Sequence, residues 1–186
     1  CASNVICHVP DLNNLIKCVD LMLSTSGTFV FEEPYLGSMF NKISYDQIYD
    51  EHIFIFSATS VKNIFEMHDF DLIDAIPQKT HGGSMRYVIK RKNKSSQSNN
   101  LKKILQEENK NKLDIVESCL LFKKNCEISK EKINYKIESL KNSGKSICGY
   151  AATSKSTTIL NYCGINTKHI DYICDTTEEK IGKYTP

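Results

Sequence analysis

Within the first 92 residues, short β-branched and aromatic runs alternate with segments whose apolar side chains recur at helical spacing. That alternation restricts the chain to an α/β architecture. Pro10-Asp11 opens an amphipathic helix carrying Leu12, Leu15, Ile16, Val19 and Leu23, and Ser26-Gly27 ends it. Ser3 to Cys7 reads as a strand end, and Thr28 to Phe31 as a short buried strand. A further helix is expected over Ser60 to Met67. Strands over Asp71 to Ile76 and Met85 to Lys90 follow, joined across Gly82-Gly83. The sheet should be largely parallel, with an antiparallel last pair.

Residues 93–100 contain no apolar side chain and read as the linker between a domain over 1–92 and another over 101–186. Leu101 to Leu140 is helical in pattern, with a break expected near Asn125 to Ser129, and Gly144 caps the end. Ser146 to Tyr150, Ala151 to Ser154, Lys155 to Cys163 and Ile170 to Cys174 then give strand, loop, helix and strand. That unit is half of a mononucleotide-binding fold.

Composition excludes several classes. A hydrophobic fraction of 40% and a charged fraction of 25% are ordinary for a globular protein. The net charge of +2 weighs against a dedicated nucleic-acid binder. No apolar run approaches the roughly 18 residues of a membrane span, and no signal peptide opens the chain. The eight cysteines form no Cys-x-x-Cys pair and mostly sit in apolar segments, as in Val5-Ile6-Cys7. They read as reduced core thiols of a cytoplasmic protein, with no metal site expected here. The chain opens on Cys1 and stops at Pro186 shortly after a strand and turn, which reads as an internal piece of a longer protein.

Four stretches could carry chemistry, besides a fifth that stands out. In Tyr49-Asp50-Glu51-His52, a phenol, a carboxylate and an imidazole directly precede the apolar run Ile53-Phe54-Ile55-Phe56. Partial desolvation there would bring pKa values toward the range useful for proton transfer. His8 lies at the carboxyl end of a predicted strand, where open α/β sheets bind ligands. Glu32-Glu33-Pro34-Tyr35 leaves another strand at the same end and either lines a cleft or shapes a turn. Thr80-His81-Gly82-Gly83 allows close backbone approach, or simply turns a hairpin. Gly149-Tyr150-Ala151-Ala152-Thr153-Ser154-Lys155-Ser156 offers amides, hydroxyls and one ammonium at a helix start, a diphosphate cradle that is not a Walker motif.

In this order these stretches, with Phe29 to Leu36, Ser44 to His52, Phe56 to Ser60 and Asn161-Tyr162-Cys163-Gly164-Ile165, resemble the S-adenosylmethionine-dependent sugar C-methyltransferases. The match runs through nearly the whole chain. It implies the C-terminal half of a Rossmann-like class I methyltransferase domain, then helices and a smaller Rossmann-like α/β domain. It implies a nucleotide-linked deoxysugar as substrate, typically a dTDP-4-keto sugar methylated at C-3. The donor's glycine-rich loop and a zinc-binding domain would lie upstream, outside this sequence. By the resemblance His52 is the base, Glu51 orients the sugar or tunes the imidazole, and Tyr49 and His8 bind sugar oxygens or stabilise an enolate. Tyr35, His81, Tyr150 and Asn161 fall in matching motifs and are expected at the substrate. Thr153, Ser154, Lys155 and Ser156 would hold the nucleotide diphosphate. One departure is Ala151, where relatives often have glycine.

Two other readings compete. The chain could bind a nucleotide sugar without catalysing anything, or methylate a non-sugar carbon or oxygen. The His-Glu pair reports base chemistry and not substrate identity.

Overall fold

The computed structural model describes residues 1–185, which divide into two compact units: residues 1–44 with 50–120, and residues 45–49 with the chain from Leu121 onward. In the first unit, β1 (Ala2–Ser3), β2 (Phe29–Pro34), β3 (Phe70–Gln78) and β4 (Ser84–Arg91) form one sheet in the order β1-β2-β4-β3. β1 runs parallel to β2, while β4 is antiparallel to both β2 and β3. Three strands therefore share one direction, and the returning hairpin strand is inserted between two of them. The α/β class is the one that the alternating pattern predicts, but the sheet is not largely parallel: inserting β4 makes two of its three pairings antiparallel.

The helices of this unit start where their sequence provides a cap. Asp11 accepts the Asn14 N–H at 2.9 Å ahead of α1 (Leu12–Met22). Ser57 and Ser60 form a reciprocal capping box ahead of α3 (Ala58–Glu66). α2 (Leu36–Lys42) follows β2 directly. Ile16 and Val19 of α1, Val61 and Phe65 of α3, and Phe31, Leu72, Tyr87 and Ile89 of the sheet share one core. Phe31 is its centre, with the rings of Tyr87, Phe29, Phe65 and Phe56 at 5.0 to 6.5 Å.

Two of the buried carboxyl groups in this unit organise backbone. Glu33 on β2 is fully buried, and its Oε1 accepts the Val5 and Ile6 N–H groups at 3.0 and 2.6 Å. The strand expected through Cys7 instead stops at Ser3. Asn4 turns the chain at φ 52°, and a 3-10 turn over Ile6–His8 follows, held at its start by Glu33. Glu108 lies on α4 (Asn99–Lys110) and is 3% exposed. Its carboxylate accepts the Ala58 N–H at 2.6 Å, the Thr59 N–H at 2.8 Å, the Thr59 hydroxyl at 2.6 Å and the Tyr35 hydroxyl at 2.9 Å. A negative charge is thereby placed at the positive end of α3.

Residues 93–100, expected as a linker, lie within the first unit. Asn93 N–H donates to Asp71 at 2.7 Å, Ser98 N–H to the Ile73 carbonyl at 2.8 Å, and the Ser98 hydroxyl to Asp74. Two backbone amides and the Ser98 hydroxyl thus bind this segment to β3, and Leu101 and Ile104 of α4 join the first core. The helix break also differs from expectation. It falls between α4 and α5 (Val116–Asn142), at a turn where Lys112 has φ 52°. Through Asn125 to Ser129 the helix continues, because Phe122 and Cys126 present one buried face one turn apart. Among the described residues no helix is long and apolar enough to cross a membrane.

In the second unit, β5 (Cys148–Tyr150) and β6 (Tyr172–Cys174) are parallel and joined by α6 (Ser154–Cys163), as the sequence predicts. Gly144 and Gly164 close α5 and α6 in left-handed conformation. The 3-10 turn Tyr45–Gln47 packs against α6, with the Tyr45 and Tyr162 rings 5.1 Å apart and the Tyr45 hydroxyl 3.6 Å from Cys163 Sγ. The Lys130 ammonium covers the Tyr162 ring at 5.1 Å. Ala151, after β5, has φ 71°, a conformation that glycine adopts without penalty.

Two stability measurements follow from these contacts. Glu108→Ala strips acceptors from two amides and two hydroxyls and should lower urea-measured stability by about 3 kcal/mol; an unchanged midpoint would contradict its role. Ala151→Gly should raise stability by about 0.5 kcal/mol, the relief of left-handed strain exceeding glycine's entropic cost.

Candidate active site

His8 is held in place from three sides. Glu33 anchors the start of its 3-10 turn, the Phe54 N–H donates to the Cys7 carbonyl at 3.2 Å, and His8 Nδ1 lies 2.5 Å from the Glu51 carbonyl. A carbonyl oxygen only accepts, so Nδ1 carries the proton, and Nε2 is the basic nitrogen of the neutral ring. The contact spans 43 positions of sequence, and it is the backbone of Glu51 that makes it. The Glu51 side chain points into solvent as an exposed group.

His52 stands beside His8, their ring centroids 5.2 Å apart and the planes tilted by 53°. Both rings are partly exposed, so a ligand can reach them, whereas Cys7 is fully buried. Donor atoms of Cys7, His8 and His52 lie within 4.8 Å of one another. Burial, and then the neighbouring Glu33 carboxylate, push the Cys7 thiol well above its ordinary range. A thiol held in that state is not a nucleophile at neutral pH. The run after His52 is extended and only progressively buried: Ile53 is 48% exposed, and Phe56 is in the core, bridged to Tyr35.

The remaining predicted residues of this unit lie elsewhere. The Tyr35 hydroxyl is committed to Glu108, and burial followed by the Glu108 charge raises its pKa. His81 is exposed on the hairpin turn Thr80–Gly82 with φ 48°. There the Thr80 hydroxyl donates to Glu32 at 2.7 Å and Arg86 pairs with the same carboxylate at 2.9 Å. The Thr80 hydrogen bond first, then Arg86, hold the Glu32 carboxyl below its usual range, with a smaller contribution from His81. Tyr49 belongs to the second unit, where it is half-buried.

In the second unit the loop before α6 differs from the open cradle that its small residues predict. Ala151 N–H donates to the Cys174 carbonyl at 2.7 Å, and Ala152 N–H to the Asp175 carboxylate at 2.7 Å. Thr153 and Ser156 cap one another, each side chain accepting the other's N–H at 2.8 and 3.2 Å. An internal carboxylate thus takes the place that an anion would hold. Hydrogen bonds from Thr177 first, and then from the Ala152 amide, lower the Asp175 pKa, and Lys180 pairs with it at 3.5 Å. Asp175 escapes a motif search because it acts from the far strand, 23 residues after Ala152. Ser154 and Lys155 open α6, and Asn161 is exposed near its end. Tyr150 is 81% exposed.

Two family models and a curated relative cover this chain. Residues 79–186 match the C-methyltransferase C-terminal domain, and residues 1–75 match a methyltransferase domain. The junction falls near the end of β3, although β4 hydrogen-bonds within the first sheet. The C-methyltransferase NovU of Streptomyces niveus is 27% identical over 180 residues, which cover 96% of this chain and 43% of that protein. The chain therefore spans less than half the length of this relative. With the C-terminal model alone matched over more than half of its residues, the chain belongs to the C-methyltransferase family.

Proposed function

We propose that this chain carries the proton-handling side of a C-methyltransferase site acting at C-3 of a nucleotide-linked 4-keto deoxysugar, with dTDP as the nucleotide. The observation that carries the reading is the pair His8–His52, two reachable imidazoles at 5.2 Å on segments cross-linked by the Phe54–Cys7 backbone hydrogen bond and the His8 ring bond to the Glu51 carbonyl. Carbon methylation needs a carbanion equivalent, and the C-3 proton of a 4-keto sugar is acidic because the carbonyl accepts the charge. His52 removes that proton. The developing enolate oxygen requires a donor, and Tyr49 has the hydroxyl for it. His8, with Nδ1 already donating, offers Nε2 to a sugar hydroxyl and so orients the ring. The Glu51 carboxylate faces solvent, free to meet a second sugar hydroxyl.

S-adenosylmethionine supplies an electrophilic methyl group when bound. The family's donor loop is glycine-rich, whereas the segment after β1 is Asn4–His8 and only Tyr35 separates β2 from α2. No residue here is assigned to the donor, and the zinc of the family belongs to a different domain. The nucleotide goes to the second unit. Exposed Tyr150 provides a stacking face, while Ser154, Lys155 and Asn161 provide polar contacts at α6. The hydroxyls of Thr153 and Ser156 reach a phosphate only by giving up their capping bonds. His81 and Tyr35 take peripheral parts, Tyr35 through its ring. Eight free cysteines support a reducing, cytoplasmic location.

Deuterium exchange at C-3 of a dTDP-4-keto-6-deoxy sugar tests the base without any methyl donor. His52→Ala should slow exchange by about 100-fold or more; exchange at the wild-type rate in this variant would sink the assignment. Calorimetric titration with dTDP tests the second unit. Lys155→Ala should weaken binding about tenfold, the loss of one charged contact. Nucleotide binding without any C-3 exchange in the wild type would favour a binding module instead.

A further inference from the structure

We propose that Cys7, His8 and His52 together form a binding site for a thiophilic divalent cation of the zinc class. One sulfur and two imidazole nitrogens are a donor set that such ions select. Their ligand atoms lie within 4.8 Å of one another. A tetrahedral site with ordinary Zn–S and Zn–N bonds has donor–donor edges of about 3.5 Å, so closure needs roughly 1 Å of side-chain movement. The two partly exposed histidines can supply it by rotation about their side-chain bonds.

The backbone beneath them is already fixed. His8 and Cys7 are adjacent in one 3-10 turn, and the segment bearing His52 is tied to that turn by His8 Nδ1–Glu51 and Phe54–Cys7 hydrogen bonds. The first of these does a second thing. A metal-bound histidine commonly donates its other ring N–H to a carbonyl, which fixes the tautomer and leaves the opposite nitrogen for the ion. His8 stands in that arrangement with Nδ1 donating and Nε2 basic. Buried Glu33 neighbours the sulfur, and its Oε2 accepts no N–H or O–H. Binding forms an S–metal bond as the S–H bond breaks, and the proton is released to the buffer. Three protein donors leave a fourth position open on the histidine side. The upstream zinc domain expected of the family would be a separate site, with its own ligands.

Occupancy takes a lone pair from His52. Resting on the reading of His52 as base, the ion should therefore compete with C-3 proton removal.

Cobalt titration of the chelator-treated chain tests binding without reference to activity. The expected result is one Co2+ per chain, with a thiolate-to-cobalt charge-transfer band and intense tetrahedral visible bands, displaced by Zn2+. Cys7→Ala should abolish the charge-transfer band, and His8→Ala should weaken binding at least tenfold. Cys126→Ser and Cys163→Ser should leave both unchanged. Thermal unfolding of each variant without metal checks that it folds, and saturating Zn2+ should raise the midpoint of the wild type but not of Cys7→Ala. A band that survives in Cys7→Ala, or no stoichiometric band in folded wild type, overturns the site. Tight cobalt binding together with undiminished C-3 exchange would leave the metal site standing and count against His52 as the base.

Discussion

A carboxylate withdrawn from water needs hydrogen-bond donors, and the first unit is built around two such groups, Glu33 and Glu108. Breaking such an arrangement leaves an uncompensated buried charge, which costs far more than a surface ion pair contributes. Glu108 gathers the start of α3, the Thr59 hydroxyl and Tyr35 onto α4, so the helix after the sheet is fastened to the helix within it. Glu33 takes the two amides that open the 3-10 turn and so decides where His8 stands. Neither glutamate needs to touch a substrate for the site to depend on both.

Much of the fold was legible because local signals agreed with tertiary packing. The cap at Asp11, the apolar spacing of α1, the Gly82-Gly83 hairpin and the β5–α6–β6 unit each combine a start or stop residue with a pattern of matching period. Three features were not legible, each for a nonlocal reason. Residues 93–100 look like a linker because all are polar, yet β3 acidic side chains accept their hydrogen bonds. Asn125 to Ser129 look like a break, yet Phe122 and Cys126 hold the helix through it. The loop at Ala151 looks open, yet Asp175 reaches it from the next strand.

The candidate site divides in the same way. His8 and His52 could be picked out by residue type, and their nearness follows from one backbone hydrogen bond and one from the His8 ring to a backbone carbonyl, which no spacing rule encodes. Cys7 was read as a small core hydrophobe. Its burial agrees with that, but its neighbours give the sulfur a chemical setting that composition could not. Glu33 was weighed as a turn-shaping residue beside Pro34, and its partners prove to be backbone amides about 27 positions earlier in the chain.

The insertion of β4 between β2 and β3 also governs the order in which this unit can assemble. β2 and β3 run in the same direction with no ladder between them, and each is completed by the strand that leaves the hairpin last. On a ribosome, neither ladder can close until Arg91 has emerged, some sixty residues after the first residue of β2 is made. β2 waits through that interval at translation speeds of about 5–20 residues per second, and β3 shares the wait only for its last twenty or so residues. The inner strand that joins β2 to β3 is thus the last of the four to be made.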